Sequence, residues 1–393
     1  MVIMKRFRLF HQTLRVLTVS IGLAVWNIGG VSGQTIPRPD HVVICVLENH
    51  AYWSVAGSPH APYLNDLMSR SAVLQEYYAL THPSQPNYLM LYSGDNQGVT
   101  DDNLPASTPW STPNLGASLL QSGFTFTGYS EDLPAAGSLV EVSAGYYRKH
   151  APWVNWQGNG THQLPVACNQ PFSAFPVDYN FLPDVSFVIP NIDHDMHDGT
   201  EPTRIEVGNG WVRDHLQSYI DWADQNNSLF ILVFDEDDDL HSNHILCFFH
   251  GPMVRPGTYA QHGYHHYDLL RTLEEMFALP LAGASSVAEP IAEIWQTATA
   301  VGAISASNAA FVAGPNPVVG DQSFLIESSS EFNDDDRLVL YDATGRLLFR
   351  QHVGGRTRQV RISPGQLPET PGLYIWQVES FGSVKATGRM LRQ

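Results

Sequence analysis

The sequence predicts an α/β fold, a sandwich of helices about a mostly parallel central sheet, followed by a small C-terminal β-sandwich. Two observations carry the main fold. Continuous apolar runs rich in β-branched residues, of the kind buried on both faces of a parallel sheet, alternate with helical patterns between residues 41 and 277. Three of those runs end directly in polar clusters, at Glu48-Asn49, at Asn191 to Asp198 and at Asp235-Glu236. In a parallel sheet the strands' carboxyl ends share one edge, where ligands bind, so these distant clusters are expected to converge. The third observation concerns the tail: beyond Pro315 the pattern changes to short alternating strands separated by turns.

The chain begins with Lys5, Arg6 and Arg8, an apolar stretch around Leu14 to Val25 and small residues at Val31-Ser32-Gly33, the layout of an export signal over 1–33. Thr18, Ser20 and Gly22 interrupt that stretch, which disfavours the alternative of a membrane anchor. The expected mature protein is secreted and has no transmembrane segment. With three cysteines it is not a disulfide scaffold, and Cys45 and Cys247 fall in strand-like runs as buried thiols. A net charge of −18 argues against nucleic acid as a partner, whereas a phosphate substrate remains compatible with it if a metal supplies local positive charge.

His41 to Leu47 is the first predicted strand. Helical spacing follows from Tyr63 to Arg70, and Asn114 opens a helix from Leu115 that Gly123 stops. Phe124 to Gly128 is the next strand. The region from Ser130 to Pro183, rich in Pro, Gly, Asn and aromatics, reads as one long functional loop, a lid or binding wall. Strands resume at Asp184 to Ile189, Leu229 to Phe234 and Ile245 to Phe249, with helices at Trp211 to Asn226 and Tyr267 to Phe277. These elements make a domain over 34–295. The Ala-, Ser- and Gly-rich stretch 296–314 reads as a linker, and strands at 323–326, 337–341, 347–351, 359–362 and 372–378 form the sandwich of 315–393.

The most informative loop is Thr81-His82-Pro83-Ser84-Gln85-Pro86-Asn87-Tyr88. It presents a hydroxyl at the mouth of a helix, where free amides and the positive dipole end favour an anion. Ser84 is either the cap of that helix or a nucleophile, and the converging acidic strand ends favour the nucleophile. Two adjacent carboxylates at a strand end, Asp235-Glu236, repel one another without a cation. Glu48, Asp235 and Glu236 are hard oxygen donors, Asn49 offers a carbonyl, and His197, His244 and His266 offer nitrogens. A carboxylate set alone favours Ca²⁺ or Mg²⁺, and added histidines shift the preference toward Zn²⁺ or Mn²⁺. Asp237, Asp238 and Asp239 read as solvated loop charges. Lys149 and His150 are either surface residues or a phosphate clamp.

Glu48-Asn49-His50, the Ser84 loop, Asn191 with Asp195-Met196-His197-Asp198, Phe234-Asp235-Glu236 and His266-Tyr267-Asp268 occur in an order that resembles the secreted phosphoesterase family. That family contains bacterial acid phosphatases and phospholipase C enzymes and belongs to the alkaline phosphatase superfamily. The resemblance, over residues 40 to 280, implies an alkaline-phosphatase-like three-layer sandwich and hydrolysis of phosphate monoesters, or phospholipase C-type diester cleavage. It implies Ser84 as nucleophile, with His197 and His266 as further catalytic groups or ligands. His82, Asn87, Lys149, His150, Asn191 and Asp195 would bind substrate, and Glu48, Asn49, Asp235 and Glu236 would hold a divalent metal ion (Zn, Ca, Mg or Mn). The substrate would be a phosphorylated small molecule or a phospholipid-derived compound; a non-catalytic phosphate-binding surface protein is the reading from another class. The tail, through Pro315-Asn316-Pro317, Leu338 to Arg346 and Pro371-Gly372-Leu373-Tyr374, resembles the C-terminal sorting domain of type IX secretion, which implies that machinery as a partner and a secreted or surface-attached protein. An accessory substrate-binding sandwich is the alternative.

Overall fold

All seven residues of His41–Leu47 (β1) are buried, as are all seven of Ser228–Phe234 (β6), so both faces of the sheet's centre are covered. The structure, a computed structural model, describes residues 36–296, 311–314, 318–320, 322–333, 336–342, 347–368, 370, 372–380 and 383–392. The signal segment 1–33, residues 297–310 of the linker, the Pro315-Asn316-Pro317 run, residues 343–346 and Pro371 lie outside the described residues.

The remaining strands of the main sheet are Ala72–Leu74 (β2), Phe126–Ser130 (β3), Asn169–Pro171 (β4), Val185–Ile189 (β5), Cys247–His250 (β7) and Gly257–Tyr259 (β8). Their order across the sheet is β8-β2-β7-β6-β1-β5-β3-β4. β7 runs antiparallel to both its neighbours and the other pairings are parallel, so the sheet is mostly parallel as expected. The three strands that end in acidic clusters, β6, β1 and β5, are neighbours at its centre. Leu47 pairs with Phe234, which sets Glu48 and Asp235 side by side as the chains leave the sheet.

Helix α1 (Pro62–Ser69) packs with α4 (Thr203–Ala223), and α2 (Ser84–Ser93) with α5 (His266–Met276); α3 (Leu115–Gln121) is capped by Asn114, whose Oδ1 accepts the Ala117 amide at 2.9 Å. Every residue of α2 is buried, which explains why it shows no polar face in the sequence. Gly94, left-handed at φ 70°, ends it, and a Cβ there would lie 2.1 Å from the Ala282 carbonyl oxygen, so only glycine fits.

Helix α4 begins at Thr203, upstream of the Trp211 start expected from periodicity. Gly208 and Gly210, with low intrinsic helix propensity, weaken the helical signal of the first turns. In the fold, a Cβ on Gly208 would come within 2.4 Å of Met196, so this glycine lets the helix pass close under the loop that follows β5. The region 131–183 is long and, apart from β4, mostly irregular, and it is anchored: Trp153 donates to Asn169 at 3.0 Å and lies over Gly128 of β3, where a side chain would collide with the indole.

The C-terminal strands form two sheets with their own apolar cluster, which includes Phe324, Ile326, Leu338, Leu340, Ile362, Trp376 and Met390. The ten-residue strand Ser383–Arg392 is absent from the sequence reading. Its outward Lys385, Thr387 and Arg389 and its Gly388 hide the alternation, yet Gly388 is what admits the Trp376 ring, 2.4 Å from where a Cβ would stand. Among the described residues no helix is long and apolar enough to cross a membrane.

Candidate active site

Ser84 is the first residue of α2, and its side chain makes no helix cap. Its Oγ instead lies 3.1 Å from Glu48 Oε2 and 3.1 Å from Glu236 Oε1, so the capping alternative gives way to a hydroxyl held between two carboxylates. Asn87, one turn on, locks this geometry. Its Oδ1 accepts the amides of Leu80 and Thr81 at 3.1 and 3.2 Å, while its Nδ2 donates to Thr81 O at 2.7 Å and Glu236 Oε2 at 3.2 Å. Tyr88, which the sequence reading did not single out, donates to Glu48 Oε1.

Glu48, Asp195, Asp235 and Glu236 are all at most 5% exposed. Asp235 Oδ1 accepts the amide of Asn49, and Asp195 Oδ1 accepts the amide of His197, at 3.2 and 2.8 Å. Burial raises the pKa of each carboxyl, and their mutual repulsion adds to it: Glu48 acts on Asp195, Asp235 and Glu236, and Glu236 is pushed up to about 8. Asn49 and Met196, both non-glycine, sit in the left-handed region at φ 48° and 79°, one in each of two strand-end loops that carry these groups. Such backbone strain is characteristic of functional loops.

Few cations offset the cluster. His150 is buried, with Nε2 3.3 Å from Glu48 Oε1 and Nδ1 3.6 Å from Asp195 Oδ2, but burial and the charges of Lys149 and His197 hold its pKa well below the usual value. It is neither a surface residue nor free in the cleft. Lys149 Nζ bonds Asp102 Oδ2 at 2.7 Å. Against the burial that would lower its pKa, that bond and the charges of Glu48 and Asp235 raise it. His82 bridges the acids on the open side, Nδ1 2.9 Å from Glu236 Oε2 and Nε2 3.1 Å from Asp237 Oδ1.

A divalent cation fits this set. Asn49 Oδ1, His150 Nε2, Asp195 Oδ2 and Asp235 Oδ2 are buried without a hydrogen-bond partner among the described residues, a cost that a bound cation removes. Ligand atoms of Glu48, His150 and Asp195 all lie within 4.8 Å of one another, a metal-sized grouping. His150 and Asp195, assigned by resemblance to substrate, therefore share a cage with the expected ligand Glu48.

Four other expectations shift. His266 is fully buried behind Asp235, where Nε2 donates to the Asp235 carbonyl at 2.7 Å and Nδ1 accepts from Tyr77 at 3.2 Å. Burial lowers its pKa to about 4, so it is a neutral brace with both nitrogens engaged. Asn191 is turned to the long wall, donating to Asp132 at 2.7 Å and accepting the amides of Asp193 and His194. Asp237, read as a solvated charge, is buried and accepts the amides of Asp239, His241 and Asn243, organising the loop after β6. His244, a possible nitrogen ligand, stacks on Tyr52 and Tyr78 instead. His197 stays at the site's open side, with Nδ1 on Asp198 at 2.7 Å and its ring 6.2 Å from that of His150.

The chain matches the Phosphoesterase family over residues 58–280. It is 44% identical over 268 residues to a phosphatidylinositol-3-phosphatase of Mycobacterium tuberculosis, covering 68% of this chain and 86% of that protein. A probable acid phosphatase of Kluyveromyces lactis is 29% identical over 287 residues, and an acid phosphatase of Aspergillus fumigatus 29% over 262; the chain spans 65% and 57% of their lengths. Among solved structures, a protein in the alkaline phosphatase superfamily from Vibrio parahaemolyticus superposes with a TM-score of 0.46 at 13% identity, over 88% of this chain and 80% of that one. With a hydroxyl clamped between buried carboxylates at the carboxyl edge of an α/β sheet, this chain belongs to the Phosphoesterase family and is a phosphoric ester hydrolase.

Proposed function

We propose that the protein is a secreted, metal-dependent phosphomonoesterase that works through a phosphoserine at Ser84. The observation that carries this reading is the Ser84 hydroxyl, 3.1 Å from each of two buried carboxylates at the first turn of a buried helix. A carboxylate accepting that hydrogen bond can take the proton as the oxygen attacks phosphorus, and the positive end of the helix dipole favours the incoming anion. Glu48, Asn49, Asp235 and Glu236, with His150 and Asp195 beside them, would hold the metal, which when bound supplies positive charge for the phosphoryl oxygens and lowers the hydroxyl pKa. His197, whose Nδ1 lies 2.7 Å from Asp198, would hand a proton from Nε2 to the leaving oxygen. His82 and Lys149 border the space the phosphoryl group would enter.

The relatives bear names of phosphatases rather than phospholipases, which favours monoesters, and the most similar of those described above is named for a phosphoinositide. Export by the 1–33 segment and passage through type IX secretion by the 315–393 module belong to the same proposal, on the motifs of the sequence. The test is phosphate release from 4-nitrophenyl phosphate by purified protein and by Ser84→Ala. The expected outcome is a loss of at least about 10³-fold with unchanged thermal unfolding, and a stable phosphoenzyme only in the parent. Full activity in Ser84→Ala would end the nucleophile assignment.

A further inference from the structure

Beside Ser84 opens a cleft of about 200 Å³ whose lining includes Gln85, Asp102, Leu104, Val142, Arg148 and Lys149. Gln85 follows the nucleophile in sequence, and its amide is fixed to Asp102 at 3.0 Å. The walls are apolar at Leu104 and Val142, which are 47% and 44% exposed. The inner cation is unusual. Arg148 is 6% exposed, and its guanidinium meets neutral acceptors: Leu139 O and Thr108 Oγ1, each at 3.4 Å, and Asn155 Oδ1 at 3.0 Å. Its Nε is buried with no partner among the described residues.

Elsewhere in the same part of the chain, Arg70, Arg204, Arg213 and Arg271 each hold a carboxylate. Arg148, more buried than any of these, holds none among the described residues. Of the two carboxylates lining the cleft, Asp102 is taken by Lys149, and Glu141, exposed at the rim, acts on the guanidinium through its charge without forming an ion pair among the described residues. A buried guanidinium without a counter-ion is costly, and the cost disappears when an anion arrives. Its forked donors suit the oxygens of phosphate and carboxylate.

We propose that this cleft is an anion subsite, in which Arg148 binds a second negatively charged group carried on the leaving-group side of the phosphate ester. The substrates are then phosphomonoesters whose leaving group bears a phosphate, a phosphodiester or a carboxylate, with its uncharged body lying between Leu104 and Val142. The inference rests on the phosphomonoesterase reading and narrows its substrate class.

The test compares kcat/KM of the full chain and of Arg148→Met on matched substrates. 4-Nitrophenyl phosphate and glycerol 3-phosphate carry one anion. 3-Phosphoglycerate, an inositol bisphosphate and a short-chain phosphatidylinositol monophosphate carry two, from a carboxylate, a soluble phosphate and a lipid diester. Losing a charge-assisted contact should cost the doubly anionic substrates about tenfold or more beyond any loss on the singly anionic ones, chiefly in KM, with Arg148→Lys recovering part. The substrate with the largest difference identifies the source of the anion. An equal loss on all substrates, or no loss on any, overturns the proposal. Should Arg148→Met not fold, calorimetry on the parent protein decides: propane-1,3-bisphosphonate should bind at least about tenfold tighter than propylphosphonate, and equal affinity overturns the subsite. A parent protein inactive on 4-nitrophenyl phosphate would count against the phosphatase reading, while the bisphosphonate comparison still judges the cleft.

Discussion

The two edges of the central sheet treat buried charge in opposite ways. At the amino edge, Asp184 enters β5 with its carboxylate fully engaged: Oδ2 accepts the Thr125 amide and hydroxyl at 2.8 and 2.6 Å, and Oδ1 pairs with Arg389 of the C-terminal strands. His250, at the end of antiparallel β7 and so at that same edge, lies between Asp224, Arg70 and Ser71. At the carboxyl edge, reached by the same strands, Asp195 and Asp235 each keep an unpartnered carboxylate oxygen and Asn49 an unpartnered carbonyl. The buried charges of the first edge are satisfied and serve stability. The second is unsatisfied, and its residual negative charge is available to a cation, which could in turn hold a phosphate.

Asp235→Asn should break that contrast most sharply. It removes an expected ligand, so phosphatase activity should fall by about 10²-fold or more. Chelated protein should nevertheless melt higher than the chelated parent, because one buried like charge is gone. Lower melting of the chelated variant would mean that these carboxylates are satisfied after all. Prolonged chelation of the parent should lower both activity and melting temperature, with metal released into the dialysate by elemental analysis.

Asp184→Ala should do the reverse. Leaving the Thr125 donors without an acceptor costs about 1–3 kcal/mol in denaturant unfolding, with kcat/KM kept. Equal damage to activity would show that the two edges are coupled.

The smallest effect concerns Glu274 of α5, an intermediate case with two donors, Ser285 Oγ and the Ala282 amide, and no ion pair among the described residues. Burial raises its carboxyl pKa to about 7. Because the folded pKa lies above the unfolded one, the unfolded chain binds fewer protons between about pH 4.5 and 7, and stability falls as pH rises through that window. Glu274→Gln should flatten this decline, and the difference in melting temperature between pH 5 and pH 8 should shrink by several degrees. An unchanged pH slope would remove Glu274 as its source.

Much of this organisation is legible in the chain because it is written in contiguous residues. A buried parallel strand needs an unbroken apolar run, and the polar residues that follow it must lie at the strand's carboxyl end; Glu48, Asp235 and Glu236 could be located on that ground. The Ser84 loop is likewise local. What was not legible depends on neighbours distant in sequence. Gly208 and Gly388 look like breaks until Met196 and Trp376 occupy the space they leave. Asp237 looks like one of three surface charges until three loop amides turn toward it. His266 carries no mark that distinguishes a brace from a catalytic group, since the distinction lies in Tyr77 and the Asp235 carbonyl.

By itself, then, the sequence determined the class of fold, the edge of the sheet where the acidic strand ends converge and the hydroxyl beside them, because periodicity and strand ends are local properties. Only the tertiary structure decided which atoms are satisfied. Whether Arg148 has a counter-ion, whether His150 is buried and which carboxylate oxygens lack a donor follow from what the fold brings within about 3 Å, the range of a hydrogen bond, and no spacing along the chain encodes that.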